Sequence, residues 1–318
     1  MVKRLLDKVV VITGGTSGIG LEIARLSVSE GANVVISGRR ENEGKKIASQ
    51  LGERCRFINC DVLHEDQICK LVEDTFGYYG KIDAIFNLAC PASPVHYQYN
   101  PIRTLKMGTL AMYNVLGMAA RLQIPILQAS TSEIYGDPHV HPQDESYLGN
   151  VNPIGPRACY DESKRLGETL CHIYNRYYGI HTNIIRPFNI YGPGMHELDY
   201  RVMPNFASKI KLEENLKLYG SANQTRTFCY ITDAIDGFLK VITSGSPGEP
   251  YNIGNPKPEI TINQLADIFI KIASNKSSKD IIEYPDSYPA DEPMRRCPDI
   301  KKARLQLNFD PVIGLEEG

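Results

Sequence analysis

The run "VVVITGGTSGIG" (Val9–Gly20) limits the fold of this 318-residue chain more than any other stretch. Val9–Thr13 is a continuous apolar, β-branched segment, as a strand covered on both faces requires. A glycine-rich turn follows, then a helix opening at Ile19. Strand, turn and helix in that order aim backbone N–H groups and a helix N-terminus at a pyrophosphate. Gly14 permits the tight turn, and Gly18 and Gly20 permit close backbone approach. Thr16 and Ser17 complete the loop with Ile19. A turn without a ligand is the plain alternative, and the flanking strand and helix favour a nucleotide. The glycines read G-x-x-x-G-x-G, not the common G-x-G-x-x-G.

The alternation continues. Strands are expected at Asn33–Ser37, Phe57–Cys60, Ala84–Asn87, Ile126–Ser130 and Asn183–Arg186. Helices are expected to about Glu30, around Ile68–Phe76, as one long element from Pro101 to Leu122, and over Tyr160–Tyr178. This is the pattern of an α/β protein with a doubly wound, Rossmann-like parallel sheet. Past Pro187 the punctuation changes to "YGPG", "SGSPGEP" and "GNPKPE". A dinucleotide-binding domain over 1–187 is therefore expected, with segments returning at about 227–255. Residues 188–318 would form mainly a smaller C-terminal substrate-binding lobe. Ligands should lie at the carboxyl ends of the strands, between the two.

A net charge of −2 gives no electrostatic reason to expect nucleic acid or an anionic membrane as partner. Eight cysteines without C-x-x-C spacing read as thiols of a reducing compartment. "MVKRLLDK" lacks the apolar core of a secretory signal, and no apolar run reaches membrane-spanning length, so a cytoplasmic protein is expected. His139 and His141 form the only close histidine pair, in a loop with no third ligand nearby in sequence. No metal is expected.

An acidic residue at the end of the second strand would read the ribose of NAD, and an arginine would accommodate the phosphate of NADP. Here the strand ends "VVISGRR", with Gly38 at the acidic position and Arg39 and Arg40 after it. Both cofactors stay open on these residues, as does a plain role for the arginines as solvated charges. Asp61 and Val62 are placed to contact an adenine edge, and Asn87 and Ala89 the ribose side.

"ASTSEIYG" puts Thr131, Ser132 and Glu133 at the end of the fifth strand. "CYDESK" opens a helix with Tyr160 and Lys164 four residues apart on one face. An ammonium near a phenol lowers its pKa, so the tyrosine can take a proton from an alcohol as hydride leaves. A lone Y-x-x-x-K is usually structural. Following a glycine loop and a Ser/Thr strand end, it identifies a member of the short-chain dehydrogenase/reductase superfamily.

The loop and "SGRR" resemble the shorter branch of that superfamily. The later segments instead resemble UDP-glucuronate decarboxylases (UDP-xylose synthases) of the extended branch. They are "LACPASPVHYQYNP", "STSEIYGDP", "NPIGPRACYDESK", "RPFNIYGPGMH", "LYGSANQTRTFCYITD" and "DEPMRRCPDIKKA", spread over roughly residues 82–316. The resemblance implies bound NAD, a UDP-sugar substrate, a homodimer paired through the helices near 101–122 and 160–178, and a closing helix beyond "LEEG". It implies Tyr160 as base for the C4 hydroxyl, helped by Lys164, with Thr131 and Ser132 at the reacting oxygens. Glu133 and Arg226 would handle the carboxylate and the C5 proton. Pro91, Ala92, Ser93 and Tyr97 would close over the sugar. Asn189, Arg201, Tyr219 and Arg296 would hold the nucleotide.

The chain departs from that pattern at Ser17, at Gly38 and at Gly194, which stands where "YGPR" has arginine. Ser132 occupies the aspartate position of sugar 4,6-dehydratases and argues against dehydration. Two rivals remain in view: a 4-epimerase or a decarboxylase releasing a 4-keto pentose, and a nucleotide-sensing module without turnover. The complete Thr131–Tyr160–Lys164 set argues against the sensor.

Overall fold

The apolar run that opens the chain becomes β1 (Val9–Thr13), buried at every position. The computed structural model describes residues 3–197, 199, 201–274, 276–283 and 293–318. After β1 come α1 (Gly18–Ser29), β2 (Asn33–Gly38), α2 (Glu41–Leu51), β3 (Cys55–Asn59), α3 (Glu65–Tyr79) and β4 (Ala84–Asn87). Next are α4 (Pro94–Tyr99), α5 (Pro101–Gly108), α6 (Leu110–Leu122), β5 (Ile126–Ala129), a 3-10 turn (Ser132–Tyr135), α7 (Ala158–Tyr178) and β6 (Thr182–Pro187). The remainder is shorter: β7 (Ile190–Tyr191), α8 (Val202–Lys211), β8 (Leu216–Tyr219), β9 (Thr225–Arg226), β10 (Cys229–Tyr230), α9 (Ile231–Ser244) and β11 (Pro250–Ile253). It closes with β12 (Ile260–Thr261), α10 (Ile262–Ala273), β13 (Lys279–Ile282), β14 (Arg295–Arg296) and α11 (Lys301–Leu307).

Seven strands form one sheet in the order β11-β6-β5-β4-β1-β2-β3, each pair parallel. The order reverses between β1 and β4, which opens the ligand crevice of a doubly wound sheet there. In register, Thr13 faces Ser37 on one side and Asn87 on the other, so three strand ends meet at that crevice. Each face of the sheet has its own core. Ile23, Ala24, Phe238 and Leu239 pack on one side, and Leu71, Met112, Leu116 and Cys171 on the other. The later short elements gather around Phe206, Leu216, Leu218 and Leu265.

The helix expected from Pro101 to Leu122 is two helices, broken at Thr109. A Cβ on Gly108 would lie 2.3 Å from Ser163 Oγ, so α5 approaches α7 too closely for any side chain there. The apolar periodicity runs through the break and hides it.

A buried network holds the end of β5 in place. Arg186 of β6 donates from Nε (2.9 Å) and Nη2 (2.6 Å) to Glu168 of α7, which also accepts from Ser130 Oγ. Arg186 Nη1 donates to the Tyr135 hydroxyl at 2.8 Å, and that hydroxyl donates to Asn252 Oδ1 at 2.8 Å. The residues just past Ser130, namely Thr131, Ser132 and Glu133, are thereby fixed from three sides.

Candidate active site

The glycine loop sits on β2, with Gly14 and Gly15 N–H both donating to Ser37 O. Gly18 has φ +53°, and open space lies where its Cβ would be. A Cβ on Gly20 would lie 2.3 Å from Gly14 O, so glycine there lets α1 pack on the turn. Ser17 stands just before α1, its side chain caps nothing, and the first turn of the helix carries no acid. An open glycine and a helix N-terminus without a side-chain cap fit a dinucleotide pyrophosphate.

At the end of β2 the two arginines of "SGRR" part ways. Arg39 is exposed, and among the described residues its carbonyl accepts from Asn59. Arg40 is the arginine that turns to the loop, with Nη2 3.3 Å from Thr16 Oγ1 and 3.1 Å from Ser17 Oγ. Asn87, expected on the ribose side, has its side chain engaged within the protein. Its amide donates to Gln128 Oε1 (2.7 Å) and its Oδ1 accepts from Thr13 Oγ1 (2.6 Å), tying three strand ends together. Thr13 Oγ1 in turn accepts from Ala89 N. Asp61 is held by Arg103 at 2.6 Å, and Val62 is buried beside it.

Tyr160 lies on the inner face of α7, stacked flat on Tyr97 with ring centroids 4.9 Å apart and planes 5° apart. Its hydroxyl bonds to Thr131, whose Oγ1 also accepts from Glu133 N at 3.2 Å. Ser132 is buried beside it. Lys164 Nζ donates to Ala129 O at 2.8 Å and lies 5.6 Å from the Tyr160 ring centre. The expectation that Lys164 lowers the phenol is not met. Burial, with Cys90, Glu133 and Asp161 nearby, pushes Tyr160 well above the usual phenol range, and Thr131 only partly offsets this. The lysine also bonds the Cys90 thiol, which burial pushes up.

Glu133 has different partners from those expected. Arg296 takes its carboxylate in a two-pronged bond, at 2.6 and 2.9 Å, and Arg157 bonds Oε2 from the start of α7. Arg226 of β9 donates to Thr225 O at 2.8 Å and reaches Glu133 only through its charge. Arg296, expected on the nucleotide side, thus lies against Glu133. Burial alone would raise the Glu133 carboxyl. Arg157, Arg296 and Arg226 outweigh it and hold Glu133 down at about 2. A carboxylate so gripped is a poor proton donor. Arg157 was missed in the sequence, although it stands three residues before Tyr160 in "GPRACYDESK".

The remaining candidates form an outer arc. Ser93 Oγ donates to Asp199 Oδ1 at 3.0 Å, and Asp199 holds Arg201 at 2.6 and 2.9 Å. The Pro91–Ala92–Ser93 loop is thereby tied to the segment entering α8. Asn189, at φ +39°, donates to Thr227 O at 2.9 Å. Tyr219 ends β8 and is half-buried. Asp291 and Glu292 of the "DEPMRRC" motif lie outside the described residues.

Residues 10–254 match the family described as "NAD dependent epimerase/dehydratase family". The chain belongs to that family. It is 40% identical over 316 residues to UDP-glucuronic acid decarboxylase 1 of Xenopus tropicalis, covering 98% of this chain and 70% of the relative. UDP-glucuronic acid decarboxylase 3 of Arabidopsis thaliana is 41% identical over 315 residues, covering 97% and 86%. In fold the chain is similar to an epimerase from Methanothermobacter thermautotrophicus, with a TM-score of 0.87 at 24% identity over 99% and 91% of the two chains.

In this epimerase/dehydratase-family chain, folding supplies what the sequence lacked beside His141. Glu259 and Cys297 bring ligand atoms that lie with His141 within 4.8 Å of one another. Glu259 already binds Arg295 at 2.7 and 3.0 Å and Thr225 Oγ1 at 2.6 Å, so a cation is in place on that carboxylate. Among the described residues, no helix is long and apolar enough to cross a membrane.

Proposed function

We propose that this chain removes CO2 from UDP-glucuronate and yields UDP-xylose, with no net redox change. The observation that carries the reading is the arginine cluster around Glu133, set beside Tyr160 at the start of one helix. Three guanidinium groups act on one ionised carboxylate there, and guanidinium groups suit two-pronged binding of a carboxylate, which supports the sugar's carboxylate as a ligand of this cluster. The adjoining Thr131–Tyr160 hydrogen bond marks where a sugar hydroxyl is oxidised. Identity of about 40% to UDP-glucuronic acid decarboxylases along nearly the whole chain supports the same reaction.

The nicotinamide cofactor, when bound, supplies the hydride acceptor and donor. Tyr160 takes the C4 hydroxyl proton as the phenolate, a form that burial disfavours and the nearby Lys164 ammonium favours, and returns it when C4 is reduced again. Thr131 holds the phenol and Lys164 places positive charge beneath its ring. The C4 ketone is β to the C6 carboxylate, so the C5–C6 electron pair can pass into an enolate. The arginines orient the carboxylate until it leaves. Buried Tyr97, packed on Tyr160, keeps water from that side of the ring.

For the cofactor we take NAD as resident. Arg40, beside Thr16 and Ser17, supports a second reading in which a 2′-phosphate is also accepted. Apolar side chains exposed on α5, α6 and α7, among them Ile102, Leu110, Tyr113, Leu166 and Tyr177, support a homodimer paired through those helices. Eight free thiols support a cytoplasmic setting. Incubation with UDP-glucuronate, following CO2 and product mass, tests the reaction.

A further inference from the structure

Replacing a carboxylate by hydrogen consumes one proton per turnover. The C5–C6 bond breaks, its electron pair enters the enolate, CO2 leaves, and C5 must then gain a proton from a group that holds one. Tyr160 gives none on balance, because the proton it takes from C4 goes back to C4. Glu133 holds none, since both its oxygens accept from guanidinium groups. The Cys90 thiol, pushed up by burial, parts with its proton reluctantly.

One acid beside this cluster has no part in the mechanism above. Asp161 follows Tyr160 on α7, is 5% exposed, and its Oδ1 is buried without a hydrogen-bond partner. Its N–H donates to Arg157 O at 3.1 Å, so it stands one helical turn from the arginine that grips Glu133, on the same edge of the helix. Glu133 from the 3-10 turn and Glu162 from α7 disfavour its charge, while Arg157 and Arg296 favour it. Tyr97 from α4, with a hydroxyl also buried and unpartnered, feels the Asp161 charge, as do Tyr160 and Cys159. Burial outweighs the arginines and raises the carboxyl to about 7.

We infer that Asp161, beside the Glu133–Arg157–Arg296 cluster, stores the proton consumed when the sugar carboxylate is lost and gives it up to the reacting end of the site. The inference rests on the decarboxylase reading. Asp161 enters the cycle as the acid, releases its proton toward C5 and becomes a carboxylate facing Arg157 and Arg296. It takes a proton from solvent after CO2 departs.

Two readouts test this on the full-length protein. In an infrared pH titration without substrate, the wild type should show a protonated carboxyl band that disappears as pH rises through about 7, and Asp161→Asn should lack it. In single-turnover UDP-xylose formation, which needs the C5 proton, the wild-type rate should fall about tenfold per pH unit above that point, while Asp161→Asn should be slower by about 10²-fold and flat with pH. Asp161→Glu keeps an acid and should keep the slope. If Asp161→Asn fails to fold, the slope of Asp161→Glu decides: a flat profile overturns the inference. It is also overturned if Asp161→Asn retains the band, or retains the wild-type rate and slope. CO2 release without any such band would overturn the inference alone. No CO2 from the wild type at any pH would overturn the decarboxylase reading and the inference with it.

Discussion

Arg296 grips Glu133 with two parallel bonds, Nη1 to Oε1 at 2.6 Å and Nη2 to Oε2 at 2.9 Å, across 163 residues of chain. Removing one partner of a buried pair leaves the other charge uncompensated, at a cost of about 3–5 kcal/mol. Arg157 remains on Glu133, so Arg296→Ala should destabilise by about 3 kcal/mol at neutral pH. The folded Glu133 carboxyl is held at about 2, against an ordinary 4.5. Its contribution is therefore complete above 4.5 and is lost as pH falls toward 2. The deficit of Arg296→Ala in denaturant melts should shrink over that acid window. A deficit that stays constant with pH would place the loss in packing instead.

Tyr160→Phe keeps the stack on Tyr97 and removes only the hydroxyl bonded to Thr131. Turnover should fall by about 10²–10⁴-fold, while cofactor binding, followed by nicotinamide fluorescence, survives. Equal loss of both would make the tyrosine structural.

Arg40 and not Arg39 should govern the choice between nicotinamides. Arg40→Ala should weaken NADP binding by about fivefold to tenfold, a modest loss because the side chain is half exposed and screened. NAD binding should change little, and Arg39→Ala should leave both cofactors nearly unaffected. Competition titrations of the two cofactors against each variant measure this.

The outward face of α7 should carry the dimer. A buried charge without a partner is costly in an apolar contact, so Leu166→Glu should shift the sedimenting species from dimer toward monomer at micromolar concentration. An unchanged species would move the contact elsewhere.

Chain-local features were legible in the sequence, and features made by distant segments were not. β1 and its loop could be read because every position of Val9–Thr13 is buried. Tyr160 and Lys164 could be paired because four residues of helix set them on one face. The partners of Glu133 lie 24 and 163 residues away, and no spacing rule connects them. Arg39 and Arg40 are neighbours, and only the path of the backbone leaving β2 decides which one meets Thr16 and Ser17. The α5–α6 break follows from Ser163 lying against Gly108, a contact between two helices that periodicity within one helix cannot register. Lys164 near Tyr160 suggested an acidic phenol because sequence does not weigh burial against charge.

UDP-glucuronate carrying labelled carbon at C6 tests the central claim most directly. The account predicts labelled CO2 and UDP-xylose in equal amounts, with no net change in nicotinamide absorbance. Label retained in a C4-epimerised sugar, or a 4-keto pentose formed with stoichiometric reduced nicotinamide, would contradict it.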